Sequence, residues 1–214
     1  MNRRDFIRLC TCSCGSLLLP GCSTTPITKR KQLTIYPESF INKQAAFMYK
    51  NMIRRSKLSN DQKQLDEIIE IGQVMIKSID HYFKKVNKPN PTANFKWEYN
   101  LIDSKMVNAF CFPGGKIGVF TGILEYTKNK DGLAILMGHE IAHAVAKHGV
   151  ERMSRALAVE TGFAVVNIFT GGAAGQTRQA IGETTGMDIV DITLMKAHGR
   201  QQESEADYMG LVFA

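Results

Sequence analysis

Cysteine is almost missing from the body of this 214-residue chain: four of the five lie at or before position 22, and Cys111 stands alone beyond them. No disulfide framework can form there, so the fold must rest on burial. There is also no run of eighteen or more apolar residues, which excludes a conventional membrane-spanning helix. Acidic residues are the minority, 20 against 27 Lys and Arg, yet the bases are scattered and not interleaved with aromatics. A nucleic-acid-binding module therefore has little support. No internal repeat is visible. What is present, 44% apolar and 22% charged residues, excludes wholesale disorder and suffices for one sizeable core rather than two.

The first twenty-two residues read as an address. Arg3-Arg4 precedes Asp5-Phe6-Ile7, and a modest apolar stretch ends in Leu17-Leu18-Leu19-Pro20-Gly21-Cys22. A basic start, a short apolar core and small residues before a cleavage point describe a secretory signal. Leu-x-Gly-Cys looks like a bacterial lipobox in which Cys22 is lipidated, and Ser23 after it favours the outer membrane by analogy. The Arg-Arg-x-Phe-Ile start resembles a Tat signal, with Sec export the alternative. Cys10, Cys12 and Cys14 crowd the apolar stretch and could instead bind a metal. Loss of residues 1–21 would lower the net charge from +7 to +5. Residues 23–42, without periodicity, read as a tether whose Lys29-Arg30-Lys31 could rest on anionic headgroups or simply be solvated.

Residues 43–214 read as one domain. Leu65, Ile68, Ile69, Gly72, Met75, Ile76, Ile79, Tyr82, Phe83 and Val86 form a helical stripe ended by Pro89 and Pro91. Phe95, Trp97, Tyr99 and Leu101 alternate with polar residues as a strand. Segments 108–112 and 116–120 flank Pro113-Gly114-Gly115 as a hairpin, with glycines suited either to close approach by another backbone or to a bulge with no ligand. Asp131 can cap a helix running to about His148, and residues 199–214 read as a last helix. Residues 159–187, rich in Gly, Ala and Thr, suit a lid or a loose helical hairpin. The chain stops within a helical pattern, as a fragment would. These elements describe an α+β fold, a small antiparallel sheet packed on helices.

The chemistry concentrates at His139-Glu140-Ile141-Ala142-His143. Residues four apart share a helix face, so both imidazoles can reach one metal, and such a motif arises by chance in roughly one sequence of this kind in two hundred. Imidazole favours zinc among several divalent ions, and with three protein ligands a water completes the shell, its pKa falling toward about 7. Glu140 can take that water's proton and return it to a leaving amine. A third ligand must come from elsewhere. Glu203 and Asp207 share a face of the last helix; one carboxylate can bind the metal while the other orients an imidazole. Glu205 points about 200° away around the helix and is disfavoured as a ligand.

His139-Glu140-x-x-His143 with Glu203-x-x-Ala206-Asp207, together with Asn108-Ala109-Phe110 through Pro113-Gly114-Gly115-Lys116-Ile117 to Thr121-Gly122, resembles the gluzincin-type metalloproteases related to HtpX and the CAAX prenyl proteases. The lipoprotein-like start makes the periplasmic BepA/LoiP-like branch the nearest resemblance. The likeness covers about residues 60–214. It implies one Zn2+ per chain on His139, His143 and Glu203, Glu140 as the catalytic carboxylate and Asp207 behind a ligand. It also implies that the strand Gly115, Lys116, Ile117, Gly118 and Val119 pairs with an extended peptide. His148 matches a position often His in such proteins, but five residues past His143 it is not taken as a ligand. Relatives continue with a segment thought to assist the transition state, so no oxyanion stabiliser is named. The expected function is a zinc endopeptidase acting on unfolded or misassembled cell-envelope polypeptides, lipid-anchored through Cys22 on the periplasmic side, without a nucleic-acid partner and with no oligomeric state indicated. A chaperone-like assembly factor that keeps the metal but rarely cleaves is the alternative.

Overall fold

The computed structural model describes residues 22–169 and 199–213. Residues 1–21, which carry most of the expected signal, and 170–187 of the expected lid lie outside them. In order along the chain come β1 (Cys22–Thr24), β2 (Lys31–Leu33), α1 (Glu38–Arg55), α2 (Gln62–Lys85), β3 (Glu98–Ile102), β4 (Ala109–Phe112), β5 (Lys116–Phe120), α3 (Thr121–Thr127), α4 (Lys130–Val145), α5 (His148–Phe169) and α6 (Arg200–Phe213). The architecture is α+β. None of the described helices is long and apolar enough to cross a membrane.

The expected tether is corrected at once. Residues 22–33 form an antiparallel hairpin, Cys22 opposite Leu33, and α1 begins at Glu38. Short strands carry too few residues for a period-2 signal, which is why the segment reads as structureless. Helix α1 packs its Ile41, Ala45 and Tyr49 inward. The Tyr49 hydroxyl donates to the Ile117 carbonyl at 2.8 Å and accepts from Asn100 Nδ2 at 2.8 Å, which locks the helix to the sheet.

Helix α2 follows its stripe. Asp61 caps it by accepting from the Gln64 amide at 3.0 Å, and Ile68, Ile71, Gly72, Met75, Ile79 and Phe83 are buried. Beneath it lies a three-stranded sheet in the order β3-β5-β4, with β3 parallel and β4 antiparallel to β5. This sheet is mixed, and the β1–β2 pair is antiparallel. The β4–β5 turn is the expected one: Gly114 and Gly115 have φ of +83° and +82°, a region that a Cβ disfavours.

The central place of β5 overturns the expected substrate strand. Both its edges are already hydrogen-bonded, and Ile117 and Val119 point into the core. Lys116 is buried, donating to the Lys96 carbonyl and to Glu98. A Cβ on Gly118 would fall 2.3 Å from the Phe110 ring, so that glycine admits a neighbouring aromatic rather than a ligand. Strand order depends on where distant segments fold, and the alternation of residues 115–119 does not encode it. The outer strands are β3, which Leu58 bridges at Ile102, and β4.

Helix α4 starts earlier than Asp131 would set it, because Asn129 accepts from the Gly132 amide at 2.9 Å. It ends at Val145. Lys147 then adopts φ +61°, and the chain reverses into α5 at His148. Helices α4 and α6 meet at two glycines: a Cβ on Gly210 would lie 2.9 Å from the His139 amide nitrogen, and one on Gly138 would lie 3.1 Å from the Gly210 carbonyl oxygen. Only side-chain-free positions allow backbones this near. Gly210→Val is therefore expected to destabilise the protein by about 1–3 kcal/mol through overpacking, lowering the thermal midpoint by roughly 3–10 °C. Gly199, with nothing within 4 Å of its would-be Cβ, is the control position, where Ala should change little. An unchanged midpoint for Gly210→Val would show that the two helices are not held at this contact.

Candidate metal centre

The i, i+4 spacing on α4 puts His139 and His143 on one face, and the glycine contact carries α6 across that face. His139 Nε2 and His143 Nε2 stand 3.0 Å apart. Glu203 places Oε2 at 3.3 Å from the first and Oε1 at 3.8 Å from the second. One ligand atom from each of the three residues lies within 4.8 Å of the others. Three potential donors gathered this closely suit a cation. Two imidazole nitrogens on a tetrahedral zinc would stand roughly 3.3 Å apart, given Zn–N distances of about 2.0–2.1 Å, so the donor set and its spacing fit zinc.

Asp207 Oδ1 sits 2.8 Å from His139 Nδ1. A carboxylate there makes Nδ1 the protonated nitrogen and leaves Nε2 its lone pair for a metal. The structure thus brings together the four residues expected at the metal, and the Glu203–Asp207 spacing of one helical turn is what allows one to face the metal and the other the ring behind it.

Glu140 projects from the same helix into a small pocket lined by Phe110, Cys111, Phe112, Pro113, Glu140, His143, Ala144, Gly149 and Arg152. Strand β4 and Pro113 supply one part of the lining, and Glu140, His143 and Ala144 of α4 with Gly149 and Arg152 of α5 supply the rest. Burial pushes the Glu140 carboxyl up to about 8, and the Glu203 carboxylate adds to the shift. Burial also raises Cys111 far above the ordinary thiol range, which makes it a packing residue.

Glu205 does turn away from the metal face, as its helical angle requires, but it does not face solvent. It is buried, with Oε2 at 3.0 Å from His148 Nε2 and 2.6 Å from Arg30 Nε. Burial would raise its pKa, yet hydrogen bonds from Thr28, Arg30 and His148 hold it at about 2. His148, five residues past His143 and on a separate helix, brings Nδ1 to 2.8 Å from His143 Nδ1 because of the reversal at Lys147. Arg30 has no local sequence signal for this role. Its only hint is a basic residue in a segment that otherwise reads as linker.

Residues 64–214 match Peptidase family M48. The mitochondrial metalloendopeptidase OMA1 of Schizosaccharomyces pombe is 32% identical over 136 residues, covering 63% of this chain and 37% of that protein. The mitochondrial metalloendopeptidase OMA1 of Saccharomyces cerevisiae is 28% identical over 214 residues, 99% of this chain and 59% of that protein. A beta-barrel assembly-enhancing protease of Escherichia coli K12 is 29% identical over 118 residues, 54% of this chain and 24% of that protein. The chain therefore spans between about a quarter and three fifths of the length of these relatives. Mitochondrial and bacterial proteins both match, so the similarity does not single out the envelope-lipoprotein branch that the N-terminus suggests.

Asp207→Ala should weaken zinc binding about 10- to 100-fold while leaving the fold intact, as loss of a carboxylate behind a ligating imidazole commonly does. Competition against a chromogenic chelator, with circular dichroism as the folding control, reads this directly. Unchanged affinity would mean that Asp207 does not orient His139.

Proposed function

The chain belongs to peptidase family M48, and on that footing we propose that it is a zinc metalloendopeptidase cutting extended segments of unfolded or misassembled polypeptides. The observation that carries the reading is Glu140 in a pocket shared with His143 and an outer sheet strand, one residue from the metal-facing His139. A structural zinc is closed by four protein ligands and has no use for a carboxylate so placed. Zinc on His139, His143 and Glu203 would supply Lewis acidity, polarising a peptide carbonyl and acidifying water.

This chain's residues supply the rest. Glu140 takes the proton from the water that attacks the carbonyl carbon. The carbon–nitrogen bond breaks, and Glu140 delivers the proton to the departing amine. Asp207 keeps the His139 ring in register throughout. The substrate chain lies along the outer edge of β4, Ala109–Phe112, rather than along β5, because of the two outer strands β4 is the one whose residues line the pocket with Glu140. Such strand addition uses backbone hydrogen bonds and so suits extended, unfolded segments. The Leu19-Pro20-Gly21-Cys22 motif supports placement in a bacterial cell envelope, anchored through lipid on Cys22. The envelope substrates are proposed on the same footing.

Glu140→Gln should retain one zinc per chain and lose casein cleavage by about 10²- to 10⁴-fold, the usual weight of a positioned acid–base group. A zinc-loaded Glu140→Gln variant that cuts casein as fast as the parent would remove Glu140 from the chemistry. Substrate pairing on β4 has its own test. Methylating one paired backbone amide beside the scissile bond of a peptide substrate should lower kcat/KM by about 3- to 10-fold, the worth of one hydrogen bond of roughly 0.5–1.5 kcal/mol. An amide scan with no sensitive position would rule out strand addition.

A further inference from the structure

The two imidazoles at the metal centre are supported differently. His139 leans directly on Asp207, whereas His143 Nδ1 faces a second imidazole, His148, at 2.8 Å. His148 is fully buried, and its other nitrogen faces Glu205 at 3.0 Å. Glu205 is in turn held by Arg30 Nε at 2.6 Å and by the Thr28 hydroxyl, both from the N-terminal hairpin. Arg30 spends its remaining edge on the buried Glu151, with Nη1 at 2.9 Å from Oε1 and Nη2 at 2.7 Å from Oε2. The hairpin turn presents Arg30 rigidly: Thr25 and Arg30 exchange backbone and side-chain hydrogen bonds at 2.9 and 3.0 Å, and Lys29 takes φ +61° to close the turn.

Counting protons along this path leaves one arrangement. Glu205, ion-paired with Arg30, only accepts, so His148 Nε2 carries a hydrogen. His143 Nε2 gives its lone pair to the metal, so His143 Nδ1 carries a hydrogen. Two N–H groups cannot share the 2.8 Å contact between the Nδ1 atoms, so His148 Nδ1 must present a lone pair. His148 is then neutral, accepting from His143 and donating to Glu205.

We propose that His148, Glu205 and Arg30 form a positioning relay through which the N-terminal hairpin fixes the ring of His143 at the metal. The proposal rests on the reading of His139, His143 and Glu203 as the zinc ligands. Its consequence is that the hairpin belongs to the metal site. A chain whose hairpin is pulled away from α5 and α6 would lose the anchor behind one ligand, so the 22–33 hairpin is mechanically coupled to zinc.

Imidazole nitrogen NMR on the full, zinc-loaded chain tests the tautomer, and with five histidines in the sequence assignment by single substitutions is practical. The expected result is His148 with hydrogen on Nε2 and a bare Nδ1. Hydrogen on His148 Nδ1 would overturn the relay, and this readout needs no variant of the relay to fold. Zinc affinity by chelator competition gives the second arm. His148→Leu should weaken binding about 10- to 100-fold. His148→Gln should recover most of the loss, since its amide can accept from His143 and donate to Glu205. Arg30→Met should weaken binding in the same direction but less. Parent affinity in a folded His148→Leu protein would overturn the relay while leaving the ligand set standing. Zinc binding that survives His143→Ala would instead remove the ligand reading, and the relay with it.

Discussion

Gly138 and Gly210 bring α4 and α6 together almost backbone to backbone, and every proposed ligand depends on that contact. The two histidines lie on one helix, and the carboxylate lies on another, far along the chain. A Cβ at Gly210 would press on the His139 amide itself, and so on the helix that holds the imidazoles 3.3–3.8 Å from Glu203. The core around them, with Met75, Met137, Ile141, Ala206 and Met209 all buried, gives the contact its stiffness. Local helix periodicity thus supplies the ligand spacing, and tertiary packing of small residues supplies the convergence.

Around that centre the chain places ionisable groups in graded surroundings. Asp207 is largely exposed where it meets His139, while Glu205 and Glu151 are buried and matched by Arg30, with Arg155 also reaching Glu151 at 2.5 Å. Buried charges are tolerated only when paired and hydrogen-bonded, as each of these is. The arrangement joins α5, α6 and the N-terminal hairpin in one polar cluster that reaches His143 through His148.

The parts legible in the sequence are those with local signals. The His139–His143 spacing, the α2 stripe, the Gly114-Gly115 turn and the last helix each depend on residues within a turn or two of one another. What escapes depends on distance. The hairpin at 22–33 has strands of three residues, too short for alternation to show. The central place of β5, and so the shift of the proposed substrate edge to β4, follows from β3 returning parallel to it across the sheet. The contact between His148 and His143 needs the left-handed turn at Lys147, which a lysine does not announce. The helical angle that disfavours Glu205 as a ligand is what points it at His148.

The central claim is that His139, His143 and Glu203 hold one zinc. X-ray absorption at the zinc edge of the purified full chain tests it most directly. The account predicts a shell of nitrogen and oxygen scatterers only, at about 2.0–2.2 Å, with the outer-shell pattern of two imidazoles. A sulfur shell at about 2.3 Å, or an outer shell lacking imidazole, would contradict it.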